Sequence, residues 1–290
     1  MIPKGSLIII GGKEDKAENK SEMQTVNHDF SSNEILKDLV KDKKDRIEVI
    51  TSASAEPESL EEDYRNTFNE IGYKNFGFIH FTKENPSQED DIERIKNAKT
   101  VFFSGGDQER LYNSVNRSFI DVLKNKYLHD EDFTIAGTSA GAMCIPEIMI
   151  SEALNAEAMV GYDIELKKGF GLISKCIVDT HFVHRGRFGR LAHAVILNQE
   201  VWGLGLGEDT ALLVKNGSLA TCIGSGMATV ISAEDLGKTN VKNVEKGEPV
   251  FAENLKVHIL TDGCIIDLEN RTIKMTNKNN KNKKRNEEVK

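Results

Sequence analysis

At 290 residues the chain is long enough for one large α/β domain or two small ones. Its composition, 39% hydrophobic and 29% charged with a mean hydropathy of -0.41, is that of a soluble globular protein. A formal net charge of -8 argues against a nucleic-acid binder, which carries a basic face, and no stretch approaches the roughly 18 apolar residues of a membrane span.

The opening Met1-Ile2-Pro3-Lys4-Gly5 runs at once into an apolar strand, Leu7–Ile10, before Gly11-Gly12. No signal-peptide pattern precedes it, so a cytoplasmic protein is expected. Residues 17–31 are polar and weakly patterned, as in a surface loop. A cap signal at Ser31-Ser32-Asn33 then introduces Ile35, Leu36, Leu39 and Val40 at helical spacing. Ile47–Ile50 reads as a second strand, and Leu60, Tyr64, Phe68 and Ile71 mark an amphipathic helix. Three more strands follow: Phe76–Phe81, Thr100–Phe103 before Ser104-Gly105-Gly106, and Phe133–Ala136 before Gly137.

Strands alternating with helices predict a mostly parallel sheet covered on both faces. Ligands bind such sheets beyond the carboxyl ends of the strands, where Gly11-Gly12, Ser104-Gly105-Gly106 and Gly137–Gly141 all fall. The second half is richer in strands: Lys175–Asp179, Ala211–Val214, Ala220–Ile223, Ala228–Ile231 and Val257–Leu260 are read as continuing the same sheet with added hairpins. The Asn- and Lys-rich stretch 277–290 is expected to be a disordered basic tail, leaving 1–276 as a single domain. The cysteines Cys144, Cys176, Cys222 and Cys264 are widely spaced and read as small buried hydrophobes; no metal or other cofactor is expected.

Gly137-Thr138-Ser139-Ala140-Gly141 fits G-x-S-x-G between an apolar β-run and an apolar stretch able to start a helix. A serine on such a sharp turn is held in strained geometry with its hydroxyl exposed, and the helix start offers free N–H groups to a developing oxyanion. A serine hydroxyl needs a base to take its proton. Of the seven histidines, His181 ends an apolar strand at the same edge as the elbow. After it come Arg185, Arg187 and Arg190, unusual in so acidic a chain, whose guanidinium forks suit carboxylates. Glu208 follows the glycine-rich run Gly203–Gly207 and is a candidate to orient His181.

Together the elbow, Ser104–Gln108, Asp179–Arg190, Gly205–Ala211, Gly11–Lys16 and Thr51–Ser54 resemble the cyanophycinase branch of the cyanophycinase/peptidase E serine peptidases, in order from about residue 5 to 270. That resemblance implies a flavodoxin-like αβα sandwich related to class I glutamine amidotransferases. It implies Ser139 as nucleophile, His181 as base and Glu208 as orienting carboxylate, with Glu157 a competing acid. Glu208 is preferred because it follows a β-like run at the active edge. Backbone N–H groups of Gly106 and Ala140 would form the oxyanion hole. Gln108, Asp179, Thr180, Arg185, Arg187 and Arg190 would line the substrate pocket. Thr180 and His184 stand where the family tends to have glutamine; both changes are expected to alter subsite contacts and to leave the triad untouched.

The implied reaction is exopeptidase hydrolysis of cyanophycin, a polyaspartate with arginine on each β-carboxyl, to β-Asp-Arg dipeptides. The alternatives are an aspartyl or isoaspartyl dipeptidase of the peptidase E type and a non-catalytic protein holding an acidic ligand on the same fold. The partner is accordingly cyanophycin or an aspartyl peptide, with no nucleic acid or membrane; a homodimer is compatible with such a chain.

Overall fold

The structure is a computed structural model and describes residues 1–13, 33–154 and 159–275. The surface loop 17–31, Ser31 and Ser32 of the cap signal, and the tail 277–290 lie outside the described residues. The first half runs β1 (Ser6–Ile10), α1 (Glu34–Lys37), β2 (Ile47–Ile50), α2 (Pro57–Ile71), β3 (Phe76–Ile79), α3 (Glu89–Asn97), β4 (Thr100–Phe103), α4 (Gln108–Ser114), α5 (Arg117–His129), β5 (Thr134–Thr138) and α6 (Ala140–Cys144). The second half runs β6 (Pro146–Ala153), β7 (Ile164–Lys168), β8 (Ile173–Asp179), α7 (Phe188–Leu197), β9 (Trp202–Leu206), β10 (Thr210–Lys215), β11 (Leu219–Gly224), β12 (Ala228–Ser232), β13 (Lys256–Leu260), β14 (Cys264–Asp267) and β15 (Thr272–Met275).

The main sheet has the order β15-β14-β11-β10-β1-β5-β4-β2-β3. Strands β1, β5, β4, β2 and β3 pair in parallel, while β10 joins β1 antiparallel, Ile10 opposite Ala211. The continuous apolar run of β1 follows from burial on both faces. Leu7 and Ile9 pack in one core with Phe119, Leu123 and Tyr127 of α5, whereas Ile8 and Ile10 pack in another with Tyr64 and Phe68 of α2. This is the expected α/β sandwich.

The second half corrects the expectation of one extended sheet. Strands β10, β11, β14 and β15 do extend it, but β6–β9, β12 and β13 form a separate six-stranded sheet of order β13-β12-β9-β8-β6-β7. Pro146 stops the helix just begun at Ala140, and the chain leaves as β6. The central strands of the new sheet bury both faces: Met149, Val178 and Leu204 join the main core, while Ile150, Ile177 and Ile231 pack with Leu191 and Val195 of α7. Among the described residues no helix is long and apolar enough to cross a membrane. All four cysteines are buried and free.

Candidate active site

At the end of β5, Ser139 adopts φ 52° and ψ -115°, the strained elbow foreseen from the glycine-flanked motif. Its N–H donates to the Ile10 carbonyl (3.1 Å), tying the elbow to β1. As first residue of α6, Ala140 has no intrahelical acceptor for its N–H. Gly105 lies directly beside the nucleophile, where a Cβ would sit 3.3 Å from the Ser139 Cβ. Next to it Gly106 has φ +140°, and a side chain there would overlap the Ala53 carbonyl, so only glycine fits.

His181 follows β8 in the left-handed region, φ 48°, and its N–H donates to the Gly11 carbonyl (2.8 Å). Gly12, at φ +103°, leaves room for its ring: a Cβ there would collide with the imidazole. This explains a glycine pair that the sequence put at the active edge without a role. Ser139 Oγ is 3.0 Å from His181 Nε2, and His181 Nδ1 is 2.9 Å from Glu208 Oε1. A proton on Nδ1 donated to the carboxylate leaves the Nε2 lone pair facing the hydroxyl, the arrangement a general base requires. His181 and Glu208 are 7% and 8% exposed. Burial lowers the pKa of His181 most, the Glu208 hydrogen bond opposes it, and Arg185 adds to the lowering; the net direction is downward. An imidazole shifted this way is neutral, and able to accept a proton, below its ordinary range.

The remaining sequence-predicted residues separate by environment. Asp179 is fully buried, clasped by Arg190 through Nε to Oδ2 (2.6 Å) and through Nη2 to Oδ1. Arg187 Nη1 donates to the Thr180 carbonyl (2.7 Å) and approaches Asp179 Oδ1 at 3.3 Å. Thr180 is buried, and its Oγ1 has no hydrogen-bond partner among the described residues. Gln108 donates its amide to the Ser151 carbonyl (2.6 Å). Arg185 is exposed and makes no ion pair among the described residues. Glu157 lies outside the described residues.

One expectation fails outright. His184 does reach the carboxylate beside His181: its Nε2 is 3.4 Å from Glu208 Oε2. The left-handed turn at His181 folds the chain back, and the Arg185 N–H donates to the His181 carbonyl (3.0 Å). Lys13 Nζ also stands 3.7 Å from Glu208 Oε1, a neighbour sequence reading missed. Among the described residues no three His, Cys, Asp or Glu side chains are grouped to hold a metal.

A parallel-sheet core carrying a serine on a strand-to-helix elbow, beside a histidine, is the frame of an α/β serine hydrolase. The family model of peptidase family S51 matches residues 18–222. A cyanophycinase from Synechococcus elongatus is 30% identical over 266 residues, covering 91% of this chain and 80% of the relative. A cyanophycinase from Nostoc sp. is 29% identical over 271 residues, covering 93% and 88%. The crystal structure of a peptidase from an acI-B1 Actinobacterium has the same fold, with a TM-score of 0.61 at 21% identity over 92% of this chain and 97% of that one. The chain belongs to peptidase family S51 and is a serine-type peptidase.

Proposed function

We propose that the protein hydrolyses cyanophycin to β-Asp-Arg dipeptides, with Ser139 as nucleophile, His181 as base and Glu208 as orienting acid. The observation that carries this is the unbroken chain of contacts, 3.0 Å from Ser139 Oγ to His181 Nε2 and 2.9 Å from His181 Nδ1 to Glu208 Oε1. His181 takes the hydroxyl proton as Ser139 attacks the scissile carbonyl. The Gly106 and Ala140 N–H groups receive the oxyanion, and Glu208 stabilises the imidazolium. His181 then protonates the leaving amine, and water, activated by the same base, releases the acyl group.

The relatives' names and the arginine stretch support an acidic peptide substrate. Exposed Arg185 and half-buried Arg187 are the guanidinium groups available to carboxylates on the His181 side. Asp179 and Arg190, bound to each other, act here as positioning residues that hold the turn carrying them.

The test is incubation of insoluble cyanophycin with the wild-type protein and Ser139→Ala, followed by mass analysis. The wild type should release β-Asp-Arg, and the variant should lose on the order of a millionfold in turnover while keeping its fold. Near-normal activity in folded Ser139→Ala would end the mechanism. Cleavage of aspartyl dipeptides alone would end the cyanophycin reading and favour the dipeptidase alternative.

A further inference from the structure

The strand order divides the active edge into two flanks around β5, which carries Ser139. On one side lie β1 and β10, with Gly11-Gly12 seating His181 and Glu208 just before β10. On the other lie β4, β2 and β3. Beyond the carboxyl ends of β2 and β3 opens a cleft of about 420 Å3, lined by Ser54, His80, Lys83, Glu84, Arg110 and Asn113 among others. Ligand pockets usually run from about 300 to 1,000 Å3, so this one is large enough for a peptide side chain and its neighbour.

The cleft is built into the loop that touches the nucleophile. Gly105 abuts Ser139, Gly106 packs on the backbone of Ala53 and Ser54, and the Asp107 N–H donates to the Ala53 carbonyl (2.9 Å). Asp107 then caps α4 by accepting from the Arg110 N–H (2.7 Å), which fixes where Arg110 starts from. One loop-and-helix unit thus serves both the proposed oxyanion site and the cleft wall. Lys83, Glu84 and Arg110 are exposed and form no ion pair among the described residues. By contrast Glu109, the residue before Arg110, is bound to Lys167 and Ser151.

We propose that this cleft binds the acyl-side segment of the substrate chain, with a substrate carboxylate between Arg110 and Lys83 and a substrate cation at Glu84. The inference rests on the reading of Ser139 and His181 given above. Because the base returns its proton to the leaving amine, the leaving group lies on the His181 flank. The acyl portion therefore extends across the elbow to the opposite flank, where the cleft is. A chain bearing carboxylates and guanidinium groups in regular alternation matches a cleft that offers two cations and one anion.

The experiment compares wild type with Arg110→Ala, Lys83→Ala and the double variant on two substrates with the same scissile bond. One carries a single building block on the acyl side, the other is a synthetic cyanophycin oligomer. A charge-assisted contact corresponds to about ten- to a hundredfold, so the oligomer-to-short-substrate ratio of kcat/KM should fall by at least about tenfold in the double variant, chiefly through KM. Glu84→Gln should lower the same ratio. An unchanged ratio, or equal loss on both substrates, overturns the proposal. Binding of the oligomer, and of oligoaspartate, to Ser139→Ala is measured in parallel by calorimetry. If hydrolysis is absent but Arg110→Ala in that background still weakens oligomer binding about tenfold, the proposed reaction fails and the cleft stands. If hydrolysis is present and binding is unaffected by Arg110→Ala, the cleft proposal fails alone.

Discussion

On the flank of Ser139 that holds His181, the groups at the centre are buried and committed to one another, Glu208 to His181 and Asp179 to Arg190, while Arg185, His184 and Lys13 lie exposed at its rim. On the flank of β4, β2 and β3, Lys83, Glu84 and Arg110 stand exposed and unpaired among the described residues. Groups held in fixed hydrogen bonds inside a low-dielectric site need no reorganisation as charge develops, which is what proton transfer demands. Exposed charges in water contribute little until a partner desolvates them, which suits recognition of a long, variable chain. Mutations should therefore behave differently on the two flanks, and the first of them tests the buried side directly. Glu208→Gln keeps the size of the side chain but removes the charge that stabilises protonated His181. Turnover should fall about 10⁴-fold with KM little changed. A loss under tenfold would remove Glu208 from the triad and reopen the case for Glu157.

A smaller effect separates two arginines only five positions apart. Arg190 lies on the first turn of α7, is 8% exposed, and holds both oxygens of fully buried Asp179. Removing one partner of such a pair strands the other charge in the interior, which typically costs about 3–5 kcal/mol. Arg190→Leu should lower the denaturation midpoint accordingly, and adding Asp179→Asn should recover part of the loss. Arg185, exposed and without an ion pair among the described residues, should give a melting curve close to wild type when changed to Ala. Equal stability for the two variants would break the distinction, within the His181 flank, between the buried groups that fix it and the exposed ones at its rim.

The elbow was legible because several local rules agree there: an apolar strand, a G-x-S-x-G turn and small residues after it. The parallel half was legible because alternating strands and helices leave few topologies. Which sheet the later strands join was not, since β8 and β10 have similar apolar patterns and only long-range pairing assigns them to different sheets. The same holds for Arg185 and Arg190, alike in sequence yet opposite in burial, because the start of α7 at Phe188 decides which of them turns inward. His184 was misread for a related reason. Its approach to Glu208 depends on a left-handed backbone at His181, a conformation that residue type alone does not announce.

The smallest predicted effect is a shift in pH dependence, and it probes Arg185, an exposed charge that bears on the base. His181 must be neutral to accept the Ser139 proton, so kcat/KM for a simple ester should rise through its pKa on the acid side. Burial is the largest influence and lowers that pKa; the Glu208 hydrogen bond raises it; Arg185 lowers it by disfavouring a second positive charge nearby. Arg185→Ala removes that repulsion, so the imidazolium becomes easier to form and the acid limb should move to higher pH, the smallest of these effects because the charge is exposed. The rate on the pH plateau should survive, because an ester without carboxylates makes no use of Arg185. Raising the salt concentration should shrink the shift in the wild type toward the variant, since an exposed charge is screened whereas burial is not. A limb that stays in place, or moves to lower pH, would mean that Arg185 does not act on His181 and that the buried flank sets its proton affinity without help from the surface.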